Sequence, residues 1–98
     1  MAIIIPEPIL AKIGTASHGN VSRREVEECF FNNAGRYATD TRPEHRSHGG
    51  SPTYWFVAET NHRRLLKIMF VRDGQDIHLK SAYPAAVHVA ELFNRKTK

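Results

Sequence analysis

The stretch from Asp40 to Gly50, DTRPEHRSHGG, places two histidines, two arginines and two acids within eleven residues. Histidines beside carboxylates and guanidinium groups are the raw material of general acid–base chemistry on a phosphate, and His45 and His48 with Asp40 and Glu44 also raise metal binding. Pro43, Gly49 and Gly50 break the segment, however, so its spacing fixes no ligand geometry and no metal site is expected from it. The strands on either side would instead determine where Arg42 and His45 point.

A second set of reactive side chains follows: Trp55, Glu59, Arg63, Arg64, Lys67, His78, Lys80 and Tyr83. Metal-free cleavage of a ribose phosphodiester needs a base for the 2′-hydroxyl proton, cations for the crowded phosphorane and an acid for the 5′-oxygen. Glu59 or His78 would serve as base, Arg64, Lys67 and Lys80 as cations, and Tyr83 or His45 as acid. Each also has an ordinary reading: a surface ion pair for Glu59, a half-buried ring for Tyr83, a solvated strand residue for His78.

The elements that must position these groups are legible. AIII reads as a short first strand cut off by Pro6 and Pro8, which suit a helix's first turn, and Ile9, Leu10 and Ile13 form the stripe of a helix that stops near Gly19. In NVSRREVEECFFNNAG, Ser22 and Glu25 match a capping box and Val21 and Val26 a hydrophobic staple, with Val26, Cys29 and Phe30 as the buried stripe. GRYATDT reads as a strand, followed by the histidine-containing loop, then TYWFVAET, RLLKIMFVR and DIHLKSAY as three more strands. A final helix is expected to start at Pro84, with Ala85, Val89, Leu92 and Phe93 inward and Arg95, Lys96 and Lys98 in solvent.

Strand registers turn this order into a surface. A three-residue loop at Asn61 to Arg63 sets Val57 opposite Lys67, with Trp55 and Glu59 on the same face. An Asp73-Gly74 turn sets Phe70 opposite Ile77, Ile68 opposite Leu79, Leu66 opposite Ser81, Met69 opposite His78, and Lys67 opposite Lys80. Two lysines facing each other are destabilising and call for compensation. Either Glu59 completes a surface ion-pair cluster, or a nucleic-acid phosphate sits on Lys67, Lys80 and Arg64 with Trp55 as a stacking platform.

The whole chain bounds these readings. Its 98 residues make one small domain, 1–98, with 41% hydrophobic and 24% charged residues, as in ordinary folded proteins. The longest apolar run, LLKIMFV, is too short to cross a membrane and the first residues lack a signal-peptide pattern, so a cytoplasmic protein is expected. Cys29 is the single cysteine, which excludes an internal disulfide and reads as a buried, inert thiol. The net charge of +4 lies wholly in residues 50 to 98, where eight Lys/Arg face four Asp/Glu. Nucleotide-binding glycine motifs and G-x-S-x-G are absent, and no cofactor is expected.

The ordered set HGNVSRREVEECF, an acidic strand end, and RRLLKIMFVRDGQDIHLKSAYPA resembles the BrnT-type toxins of bacterial toxin–antitoxin pairs, whose counterparts are an HGVS helix start, a GRLLVVV strand and an RIRIISAR strand before a basic last helix. The resemblance runs from about Ile3 to Phe93. It implies a RelE-like α+β fold: a mainly antiparallel sheet of four to five strands, two N-terminal helices on one face and a C-terminal helix. It also implies a small metal-independent ribonuclease using the polar sheet face, with RNA and a cognate antitoxin as partners and a dimer or hetero-oligomer as the assembly. By resemblance Arg64 and the end of the last strand belong to the site. At that strand end the family has SAR and a further basic residue where this chain has Ser81, Ala82, Tyr83 and Pro84.

On these grounds the catalytic candidates are Glu59, Arg64, Lys80, Tyr83 and His45, and the nucleic-acid-binding candidates are Lys67, Arg42, Trp55, His78 and Arg63. The competing expectation is a non-catalytic module of the same fold whose face with Trp55, Leu65 and Met69 receives a partner's helix.

Overall fold

A computed structural model describes residues 2–40 and 52–97. The elements are β1 (Ile3–Ile4), α1 (Glu7–Ile13), a single 3-10 turn (Ala16–His18), α2 (Arg23–Asn33), β2 (Ala38–Asp40), β3 (Thr53–Glu59), β4 (Leu65–Asp73), β5 (Asp76–Pro84) and α3 (Val87–Lys96). The five strands form one sheet in the order β1-β5-β4-β3-β2. Among the described strands only the β1–β5 pairing is parallel, and the chain is an α+β domain.

The second helix forms as its sequence dictates. Ser22 accepts from the Glu25 N–H at 3.2 Å while the Glu25 carboxylate accepts from the Ser22 N–H at 3.1 Å, so two otherwise free helix donors are satisfied reciprocally. Val21 and Val26 are both buried, as a hydrophobic staple requires. The helix ends where Ala34 and Gly35 take φ 56° and 80°, a left-handed exit.

Neighbouring residues of β3 point to opposite sides of the sheet, and each side has its own helix. Phe56 meets Phe30 of α2 at 4.9 Å between ring centroids, whereas Trp55 meets Phe93 of α3 at 5.6 Å. The α2 side holds the main core, in which Phe56, Leu66, Ile68, Phe70 and Leu79 are all buried. Cys29 lies there with its Sγ–H donating to the Ala58 carbonyl at 3.6 Å, and burial pushes its thiol pKa up to about 12. It is an inert core thiol.

The β3–β4 hairpin has the expected register, with Val57 opposite Lys67. Thr60 donates to Arg64 at 2.9 Å and Arg63 takes φ 63°, the left-handed residue of a three-residue hairpin loop. The β4–β5 register departs from expectation. Asp73 pairs with Asp76, so Gly74 and Gln75 form the turn, and Phe70 faces Leu79 instead of Ile77. A bulge between Met69 and Phe70 then leaves Lys80 without an opposite residue. Beyond it Met69 faces Ser81, Ile68 faces Ala82, Leu66 faces Pro84, and Lys67 faces Tyr83.

Two further boundaries are corrected. β5 continues through Pro84, with Ala85 donating to the Leu65 carbonyl at 3.0 Å, so α3 starts at Val87 and not at Pro84. Phe93 is buried but Leu92 is 40% exposed, so Phe93 anchors the helix and Leu92 lies at its margin.

Candidate functional site

The bulge decides which polar groups share a surface. The turn at Gly74 and Gln75 alone would set Lys67 opposite Ala82 and Lys80 opposite Met69; with the bulge Lys67 faces Tyr83, and Lys80 stands exposed outside the ladder. The lysine-on-lysine repulsion expected from sequence is therefore not present. Opposed residues sit about 4.5–5.5 Å apart at Cβ and diagonal ones about 7–8 Å, within reach of long side chains. Glu59 pairs with Leu65 and so lies on the diagonal from Lys67, on the same face. Glu59, Lys67 and Tyr83 thus form an acid, a cation and a phenol on the α3 side of the sheet.

Lys67 is also held from behind, its Nζ 4.7 Å from the centre of the Trp55 ring. That ring is 6% exposed beneath α3. The stacking platform expected of Trp55 is corrected to a packing role, because Phe93 occupies the ring that a base would need. The same burial removes Trp55 from the groove expected for a partner's helix.

A cleft of about 310 Å³ between the sheet and α3 is lined by Thr39, Asp40, Trp55, Lys67, Val89 and Lys96, among others. Lys96 and Asp40 were not expected there. The signal for Lys96 was available, since Val89, Phe93 and Lys96 recur at helical spacing on one face. Asp40 is buried at the end of β2, and its position follows only from the β2–β3 pairing.

Arg64 is engaged elsewhere. One guanidinium nitrogen donates to both Glu25 carboxylate oxygens, at 3.0 and 2.9 Å, and to the Asn20 carbonyl at 3.3 Å; the other donates to the Gly19 carbonyl. Arg64, expected as a catalytic residue, is thus placed where it fastens the β3–β4 hairpin to the start of α2. Burial alone would raise the Glu25 pKa, but the Arg64 hydrogen bond and charge, with the Ser22 bonds, outweigh it and hold the carboxyl below its usual range.

A lowered native pKa means that this contribution to stability is complete above the ordinary glutamate value of about 4.3 and is lost as pH falls through the native value. In urea unfolding, Glu25→Gln should cost about 1.5–3 kcal/mol at pH 7, the range for hydrogen bonds to charged groups. The difference from wild type should shrink toward pH 3. A pH-independent difference would exclude the ion pair as its cause.

The remaining candidates are dispersed. Arg63 is exposed in the β3–β4 turn, and His78 pairs with Val71, its Nε2 3.8 Å from an Asp73 carboxylate oxygen. Arg42, His45 and His48 lie outside the described residues. Among the described residues no cluster of three His, Cys, Asp or Glu is placed to hold a metal, and no helix is long and apolar enough to cross a membrane.

Comparison with known proteins places no relative beside this geometry: no family model, curated protein or solved structure matches the chain.

Proposed function

We propose that this chain is a RelE/BrnT-like toxin domain that binds and cleaves RNA on the α3 side of its sheet, without a metal. The observation that carries this reading is the juxtaposition of Lys67 and Tyr83 across the β4–β5 ladder, with Glu59 on the diagonal. Lys67 and Lys96, which line one cleft, would meet phosphate oxygens. Glu59 would take the 2′-hydroxyl proton, Lys67 would stabilise charge on the phosphorane, and Tyr83 would donate to the departing 5′-oxygen. The excess of basic residues after residue 50 supports the same assignment by drawing RNA to this half of the chain. A cognate antitoxin covering this face is part of the proposal.

The test separates binding from chemistry. Fluorescence anisotropy with a labelled single-stranded RNA dodecamer, across a salt series, should show affinity falling with salt. Each phosphate contact contributes about 0.7 to the log–log slope for single strands, so Lys67→Ala with Lys96→Ala should reduce it by about 1.4. Tyr83→Phe should retain binding and lose RNA cleavage, and induced expression of the wild type should arrest growth. No RNA affinity at low salt, or a double variant with an unchanged slope, would refute the site. Binding without cleavage in the wild type would refute the enzymatic part.

A further inference from the structure

The opposite side of the sheet carries a second concave site that the RNA reading does not use. A pocket of about 370 Å³ opens between α2 and the β4–β5 hairpin, walled by Phe30, Tyr37, Phe56, Phe70 and Ile77, with Arg72 at its edge. Its volume falls within the usual range of small-molecule sites, about 300–1,000 Å³. The walls are built from rings meeting edge to face: Phe30 with Phe70 at 5.3 Å and Tyr37 with Phe70 at 5.7 Å. Phe56 and Phe70 are buried and form the floor, whereas Phe30 is half-buried and Tyr37 is 38% exposed, so these two rings present surface to a further flat ring. The backbone at Gly35, which adds no side chain to the lining, has open space where a Cβ would stand.

Arg72 supplies the polar determinant. It is exposed, and its guanidinium donates to the Tyr37 hydroxyl at 2.7 Å while lying 5.8 Å from that ring's centre. Among the described residues no carboxylate forms an ion pair with it. An apolar aromatic cup with a guanidinium on its rim that no described carboxylate pairs with is complementary to a ring carrying one negative group. A planar guanidinium matches a carboxylate with two parallel hydrogen bonds.

The geometry points to a binding site for a small aromatic carboxylate, its ring between Phe30 and Tyr37 and its carboxylate on Arg72. This site lies on the sheet face opposite Lys67 and is independent of the RNA reading.

Benzoate and benzamide are the probes, since they share shape and differ in charge. Titrated into the ¹⁵N-labelled full chain, benzoate should shift the amide signals of Gly35, Tyr37 and Arg72 with millimolar affinity. Benzamide should bind about tenfold more weakly, the loss of a charge-assisted pair. Arg72→Gln should abolish that preference while leaving the rest of the spectrum in place. Lys12 on α1 and Glu91 on α3, neither of which lines the pocket, serve as reference signals. No localised shifts at 20 mM benzoate, equal affinity for the amide, or an acid preference that survives Arg72→Gln would each overturn the assignment.

Discussion

Gly19→Ala should destabilise the folded chain by about 2–5 kcal/mol, although the residue is a small turn glycine with no part in the proposed chemistry. Two costs combine. Gly19 has φ 90°, and the left-handed region costs an L-residue with a Cβ about 1–2 kcal/mol. A Cβ there would also lie 2.5 Å from two carbons of the Pro84 ring and 3.1 Å from an Arg64 nitrogen. Pro84 is the last residue of β5 and is paired with Leu66, so it has little freedom to retreat, and overpacking of this kind costs about 1–3 kcal/mol. A double-mutant cycle with Pro84→Ala, read by urea midpoints, separates the two. The steric part should be recovered in the double variant and the backbone part should persist. Strictly additive effects would mean that Gly19 and Pro84 do not touch.

Phe70→Ala should have the largest effect of any single truncation considered, about 3–5 kcal/mol, the usual cost of deleting a fully buried ring. Phe70 is 1% exposed and meets Phe30, Tyr37, Tyr54 and Phe56, so its loss leaves a cavity bordered on several sides by side chains fixed on different elements. At about 4–8 °C per kcal/mol for a domain of this size, thermal unfolding should move by tens of degrees. Phe31→Ala is the matched control: Phe31 is 87% exposed on the outer side of α2 and should change stability by no more than about 0.5 kcal/mol. Equal effects at the two positions would overturn the assignment of the α2 face.

The sequence signals that proved most informative were those with a closed local mechanism. Ser22 with Glu25, and Val21 with Val26, specify a helix start without reference to the rest of the chain, and both pairs are in place. The Asn61–Arg63 loop likewise fixed Val57 opposite Lys67. What was not legible depended on contacts distant in sequence. Asp73-Gly74 has the composition of a hairpin turn, yet positive φ falls on Gly74 and not on Asp73. The turn shifted by one residue, and periodicity gave no sign of the bulge that realigns the strand afterwards. Trp55 alternates correctly with Glu59, but only tertiary packing reveals that α3 covers one and leaves the other exposed.

The motif residues that suggested the toxin family acquire a different meaning for the same reason. Gly19, Ser22, Glu25 and Arg64 converge on one joint, where Arg64 donates to the Gly19 carbonyl and to the carboxylate that caps α2. In this chain they serve what the loop needs in order to close. The groups proposed to do chemistry, Lys67 and Tyr83, lie away from that joint on the α3 side of the sheet.

The unpaired Lys80 gives β5 one residue more than its ladder uses. On its hairpin side Ile77 and Leu79 face the core; on its far side the inward residue is Ala82, so odd and even positions exchange roles across it. The strand therefore carries a unit of slack in an otherwise strict two-residue rhythm. Chain length can vary by one at this point while both ends keep their faces, whereas the same change within β4 would turn Ile68 and Leu66 out into water. In this small sheet, tolerance of length change is concentrated at a single position, immediately beside the surface where Tyr83 meets Lys67.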